Sequence, residues 1–175
     1  MKRYLLIGIA LLMAGTVSAQ KTFKYIGAEA CKACHNKPTK GAQYDMWVKD
    51  PHSQAFKTLS GEKAMDYAKK NGIADPSKEA KCLKCHTTYD SVTENLRNGI
   101  TQAEGVSCES CHGPGSAYKG PSVMKNRNIA VKSGLLLIEE KVCITCHNSE
   151  SPFFTAFNYE EAFAKSTHPD PTKTK

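Results

Sequence analysis

The sequence is poor in the residues from which a protein of this size usually builds its interior. Only 40% of its 175 residues are hydrophobic, 8% are aromatic, and the mean hydropathy is negative. Beyond residue 19 no apolar run is long enough to cross a bilayer, and no segment alternates as a half-buried strand does. These absences exclude a membrane span in the mature chain and disfavour a β fold.

Cysteine is absent from every position outside one repeated string, C-x-x-C-H. Its four copies occupy residues 31–35, 82–86, 108–112 and 143–147. Two thiols at this spacing reach the two vinyl groups of one haem, and the adjoining histidine becomes the proximal ligand of the iron. We therefore predict four covalent c-type haems. The thiols are those of Cys31, Cys34, Cys82, Cys85, Cys108, Cys111, Cys143 and Cys146, and the proximal ligands are His35, His86, His112 and His147.

Zinc binding and disulfide bonding also use paired cysteines and are the alternatives to haem attachment. Neither needs a histidine directly after each second cysteine. Here a histidine follows in all four copies, and this regularity favours haem.

The first 19 residues have the features of a cleaved signal peptide. Lys2 and Arg3 precede an apolar run, which ends in the small-residue cleavage signal 17–19. We expect cleavage after Ala19, export to the periplasm, and one tetrahaem domain over residues 20–175. Unequal spacings between the motifs argue against a repeat array.

Haem content accounts for the scarcity of apolar residues. Removing 19 residues from 175 leaves 156, or 39 for each of four haems. Domains this small need a well-filled core or covalent staples. The macrocycles should therefore form most of the interior, and the chain without haem should be largely unfolded.

The formal charge of +7 suggests an anionic partner, but this sum omits the cofactors. Without Lys2 and Arg3 the charge is about +5, and four haems with eight propionates bring it to about +1 oxidised or about −3 reduced. No nucleic-acid recognition motif accompanies the lysines. We expect no nucleic-acid partner.

The pattern predicts a mainly α fold, with short helices and loops wrapped around the haems and little or no β structure. One helix should be capped by Ser60 and end near Gly72. Another should be capped near Ser133 and run over residues 135–142 into the fourth motif.

Signals in the C-terminal part predict one further helix and two irregular segments. Asn158 followed by Glu161 forms a capping box for a helix to about Ser166. Residues 113–122, rich in glycine, proline and serine, should form a loop, and residues 169–175 a frayed tail.

The histidine count limits the ligands on the distal face of each iron. Of six histidines, four are proximal, which leaves His52 and His168. At most two haems can have two histidine ligands, so at least two have another ligand or an open position.

Four features together resemble the cytochrome c-554 family of tetrahaem cytochromes. They are C-K-A-C-H at residues 31–35, Trp47 followed by His52, G-V-S-C-E-S-C-H-G-P-G at residues 105–115, and Ser-Pro at 151–152. That family is best known for accepting electrons from hydroxylamine oxidoreductase. The resemblance extends from about Ala28 to His168.

The resemblance implies distal ligands for two haems. His52 would serve the third haem, opposite His112, and His168 would serve the fourth haem, opposite His147. A surface histidine without a ligand role is the alternative at His52.

The distal ligands of the other two haems are less well determined. The family's distal histidine of the first haem has no counterpart between residues 113 and 143, and Met124 lies in the corresponding loop. We predict ligation by His35 and Met124, against a five-coordinate iron or ligation by Lys119 or Lys125. A methionine ligand would raise the potential of this haem.

The resemblance implies a five-coordinate iron at His86 under an apolar cover. Phe153, Phe154 or Phe157 would shield it, although core packing is the commoner role of such residues.

The predicted function is haem-to-haem electron transfer between redox partners, which requires no catalytic acid, base or nucleophile. The partners would be a donor such as a hydroxylamine oxidoreductase-like enzyme and a membrane or soluble cytochrome as acceptor. The alternative is reduction of a small nitrogen oxide, such as nitric oxide, at the open haem. The residues alone leave enzymatic activity undecided.

Overall fold

The computed structural model describes residues 22–168, so the predicted signal peptide and the predicted tail at 169–175 lie outside it. Within this range the chain forms short α-helices joined by turns and loops. The helices are α1 Ala28–His35, α2 Gln43–Lys49, α3 Ala55–Thr58, α4 Glu62–Lys70, α5 Ala80–His86, α6 Thr88–Ser91, α7 Cys108–His112, α8 Pro121–Met124, α9 Arg127–Lys132, α10 Glu140–Cys143 and α11 Tyr159–Ser166. Short 3₁₀ helices lie at Pro38–Lys40, Pro51–Gln54, Pro76–Lys78, Glu94–Leu96 and Gln102–Glu104.

The mainly α prediction is confirmed for residues 22–168. Their only β pairing is an isolated bridge between Tyr25 and Arg97. Over the same range, no helix has the length and apolar character needed to cross a bilayer.

Two predicted helices are confirmed, with small changes at their ends. Helix α4 begins one residue after Gly61, rather than at a Ser60 cap, and ends at Lys70 before Gly72. Asn158 caps helix α11 as predicted, since its side chain accepts the Glu161 backbone N–H at 3.2 Å, and its side-chain amide donates to the Glu161 carboxylate at 3.4 Å.

The predicted helix over residues 135–142 is wrong. Ser133 ends α9 instead of starting a helix, and Gly134 has a φ of 102°, a conformation that stops a helix. Leu136 then donates its backbone N–H to the carbonyl of His112 at 2.9 Å. Residues 135–139 thus lie without helical structure beside the end of α7, and only α10 enters the fourth motif as a helix.

Residues 113–120 form the predicted loop, and Pro121 begins α8. Proline suits this position because the first turn of a helix needs no N–H from it.

The polypeptide buries little apolar surface of its own. Its buried hydrophobic residues are Ile26, Ala28, Leu59, Ala68, Leu83, Ile100, Tyr118 and Ala130, three of which are alanines. The largest fully buried side chains are polar, namely Glu109, Thr87, Thr88 and Ser107. A soluble fold normally buries its larger aliphatic and aromatic residues instead.

Glu109, inside the third motif, joins three segments of the chain. Its carboxylate accepts backbone N–H groups from Ile26 at 2.9 Å, Gly27 at 2.8 Å and Gly115 at 2.6 Å. Glu104 adds a bond from the Ala28 N–H at 2.8 Å, so two carboxylates hold the start of α1 against the third motif.

Candidate haem sites

Three of the four C-x-x-C-H motifs lie at the C-terminal end of a short helix. The motifs end α1, α5 and α7, while the fourth starts at the end of α10 and continues as turns. The His147 N–H still donates to the Cys143 carbonyl at 2.9 Å, which keeps one more helical turn. Residues three and four apart lie on the same face of a helix, so the two thiols and the histidine of each motif can contact one haem.

The thiols are accessible, and none of the described cysteines forms a disulfide. Cys34 is exposed and the other seven are partly exposed. Thioether attachment requires such access, and the four motifs therefore fit covalent haem.

The fold brings the motifs together in pairs that are distant in sequence. A hydrogen bond from Cys108 lowers the pKa of the Cys31 thiol, and the same bond raises the pKa of Cys108. Burial and the neighbouring Cys146 raise the pKa of Cys85 to about 11. The first motif thus lies beside the third, and the second beside the fourth.

Other contacts support these neighbourhoods. An ion pair between Lys84 and Glu150 joins the second motif to the turn after the fourth. Burial, followed by the charge of Cys143, raises the pKa of Cys111 to about 11, so the third and fourth motifs are also close.

The two histidines outside the motifs each face a histidine inside one. The ring centroids of His52 and His147 are 6.0 Å apart, and those of His168 and His112 are 5.9 Å apart. Two imidazole nitrogens each about 2 Å from one metal, with ring centres about 1 Å behind them, would put the centroids about 6 Å apart. Both separations fit axial ligation of one iron.

This pairing is the reverse of the one that the family resemblance implied. The structure places His52 opposite the fourth motif and His168 opposite the third. The resemblance transfers ligands by position in the sequence, whereas the proximity of the rings depends on how residues 50–54 and the end of α11 pack. The ligand role of both histidines stays a prediction.

Three histidine rings are oriented by hydrogen bonds to Nδ1. His86 Nδ1 donates to the Ala55 carbonyl at 2.8 Å, and His52 Nδ1 lies 2.8 Å from an oxygen of Asp50. His35 Nδ1 lies 3.3 Å from Oε1 of Gln43. An Nδ1–H engaged in this way leaves Nε2 as the metal-binding nitrogen.

Sequence reasoning missed these orienting residues. Asp50 carried a usable signal, since aspartate directly before proline commonly caps a helix start and lies here two residues before His52. Ala55 and Gln43 had no such signal, because their role depends on the tertiary fold.

Burial lowers the pKa of two of the motif histidines. Burial, with smaller contributions from His168 and His35, lowers the pKa of His112 to about 4. Burial and the facing His52 also lower the pKa of His147. Neutral imidazole is the form that binds a metal.

Met124, the predicted ligand of the first haem, is partly buried at the end of α8. Lys119, an alternative, is exposed, and its charge contributes to lowering the pKa of Cys31, so it lies near the first motif. The sixth ligand at His35 stays a prediction.

Two of the three phenylalanines expected near His86 contact other aromatic rings. Phe157 stacks on His147 with centroids 4.9 Å apart, and Phe153 contacts Tyr67 of α4 at 5.6 Å. Shielding of the His86 iron stays a prediction.

Large apolar side chains are exposed around the motifs, where a macrocycle would cover them. Ile144, inside the fourth motif, is 45% exposed. Met46 and Val48 of α2 and Leu136 and Leu137 before α10 are similarly exposed. Together with the small polypeptide core, this unsatisfied apolar surface fits bound haem. In residues 22–168 no three His, Cys, Asp or Glu side chains converge as a metal-binding group of their own.

Comparison with known proteins gives a partial match over the N-terminal half. Residues 30–113, just under half of the chain, match the family described as cytochrome c554 and c-prime. Cytochrome c-554 of Nitrosomonas europaea is 30% identical over 101 residues, which cover 54% of this chain and 40% of the relative. No solved structure matches the chain.

These findings confirm the resemblance to the cytochrome c-554 family and support covalently bound c-type haem. The family match includes the first three motifs and His52, and the fourth motif lies beyond it. The comparisons do not favour the nitric oxide reductase alternative.

Proposed function

We propose that this chain is an exported tetrahaem cytochrome that carries electrons between redox proteins in the periplasm. The observation that carries the proposal is the coincidence of four attachment motifs with two histidine pairs at about 6 Å, the separation expected for axial ligands of one metal. Residues 1–19 would be removed on export.

In this proposal the eight motif cysteines hold four haems and the motif histidines are proximal ligands. His52 would complete the haem at His147, and His168 the haem at His112. Met124 would complete the haem at His35, and the iron at His86 would keep an open position.

The chain's own residues hold and orient the ligands. Backbone and side-chain oxygens fix the rotation of the imidazoles of His35, His52 and His86. Glu109 holds the first motif against the third. Bound haem supplies the one-electron chemistry, and short distances between neighbouring motifs support transfer from one haem to the next.

The partners would be a donor such as a hydroxylamine oxidoreductase-like enzyme and a cytochrome acceptor. The aligned region is 40% of the relative's length, so these partners rest on family resemblance. Kinetics of reduction and reoxidation with isolated candidate partners would test them.

Mass spectrometry of the purified holoprotein tests the central proposal. The expected mass is that of a chain beginning at Gln20 plus four haems. Replacing Cys143 and Cys146 by serine should remove one haem, whereas Ile144→Val in the same motif should keep all four. A chain of unmodified mass would refute the proposal.

A further inference from the structure

Asp50 lies two residues before His52 and contacts it twice. Its Oδ1 accepts the His52 backbone N–H at 2.9 Å and lies 2.8 Å from the ring Nδ1. The first bond caps the 3₁₀ helix Pro51–Gln54, and the second fixes the rotation and tautomer of the imidazole. The Asp50 side chain is only 22% exposed, so this contact is partly shielded from water.

The loop carrying this pair is held firmly against the segment before the third motif. The Val106 N–H donates to the His52 carbonyl at 2.9 Å, and the Trp47 indole donates to the Val106 carbonyl at 3.0 Å. A Cβ on Gly105 would lie 2.7 Å from the His52 carbonyl oxygen, so the two backbones are in close contact. These contacts fix the position of the His52 backbone, and Asp50 fixes its ring.

The acceptor at His52 differs chemically from those at two motif histidines. His86 donates to a neutral backbone carbonyl, and His35 faces a neutral amide oxygen. A carboxylate is a stronger acceptor than either, because its hydrogen bonds are assisted by charge.

We infer that Asp50 is a positioning residue that lowers the reduction potential of the haem ligated by His52 and His147. The inference rests on the proposed ligand role of His52. A carboxylate that accepts the Nδ1–H increases the electron density on Nε2, which strengthens its bond to ferric iron. The negative charge itself also favours the more positive oxidation state. Both effects stabilise the ferric form.

Redox titration of the holoprotein, followed in the visible spectrum, tests this role with Asp50→Asn and Asp50→Ser. Serine keeps the cap on the backbone N–H of His52 but removes the charge, so it separates the structural from the electronic role. In both variants, one haem should show about a tenfold higher ratio of reduced to oxidised form at a fixed potential, equivalent to about 59 mV. Asp66→Asn, an exposed control in α4, should leave all four haems unchanged.

Low-temperature EPR of His52→Met identifies the haem concerned, because that variant should alter one low-spin signal. The same signal should shift in Asp50→Asn. If His52→Met alters one haem and neither Asp50 variant moves its potential, the inference is overturned while the ligand proposal stands. If His52→Met leaves every signal unchanged, the ligand proposal fails and this inference fails with it.

Discussion

Removal of the Glu109 carboxylate should be among the most destabilising single changes in this protein. The side chain is 1% exposed and accepts three backbone N–H groups, those of Ile26, Gly27 and Gly115. In Glu109→Ala these three donors lose their partner in a buried site. Each unsatisfied buried donor costs about 1–3 kcal/mol, which gives roughly 3–6 kcal/mol after some relaxation. This is a large part of a typical stability of about 5–15 kcal/mol.

Denaturant unfolding of the holoprotein, followed by far-ultraviolet circular dichroism, measures this loss. Glu109→Gln should lose less stability than Glu109→Ala but more than the control, because the amide oxygen can still accept hydrogen bonds while its NH₂ group faces backbone donors. Glu94→Ala, at an exposed position, is the matched control and should change stability by less than about 0.5 kcal/mol. Equal midpoints for Glu109→Ala and Glu94→Ala would refute the role assigned to this carboxylate.

Three further predictions concern backbone fit, ligation and pH. Gly105→Ala should displace the His52 loop, because the new Cβ would lie 2.7 Å from the His52 carbonyl oxygen and the backbone φ is +62°. EPR should then show one perturbed low-spin haem signal. Gly120→Ala is the control and should leave the spectrum unchanged, because nothing lies within 4 Å of its added Cβ. Met124→Ala should remove the low-spin EPR signal of one haem, and an unchanged spectrum would exclude this ligand. Hydrogen bonds from Ser77 and Lys78 lower the pKa of Asp75 to about 2. The ionised Asp75 carboxylate therefore stabilises the folded state above pH 3.8, the pKa of the unfolded chain, and this stabilisation is lost as the pH falls towards 2. The difference in unfolding midpoint between the native protein and Asp75→Asn should therefore shrink between pH 4 and 2, and a constant difference would contradict this assignment.

The motifs to which we assign haem attachment could be recognised from sequence because both thiols and the histidine of each motif lie within five residues. The Asn158 cap of α11 was predictable for the same reason, since Asn158 and Glu161 are three residues apart. The helix over residues 135–142 was not, because the left-handed turn at Gly134 and the bond from Leu136 to His112 draw this segment onto a distant part of the chain.

The partners of His52 and His168 were beyond sequence reasoning as well. Counting histidines predicts that both are candidates for distal ligands, but it does not predict which motif each one faces. That choice depends on long-range packing, such as the contact between residues 52 and 106. The bonds to Glu109 likewise involve backbone N–H groups of distant segments, which no side-chain pattern reveals.

The first motif lies beside the third and the second beside the fourth, and this order determines when the contacts between motifs can form. Cys31 and its neighbour Cys108 are 77 positions apart, and Cys85 and Cys146 are 61 apart. Contacts between such remote positions close late, because the long intervening loops must first lose their entropy. In the proposed exported protein, Cys31 and Cys85 would therefore lack their neighbours until Cys108 and Cys146 had also crossed the membrane, so haem attachment at the first two motifs could precede these contacts.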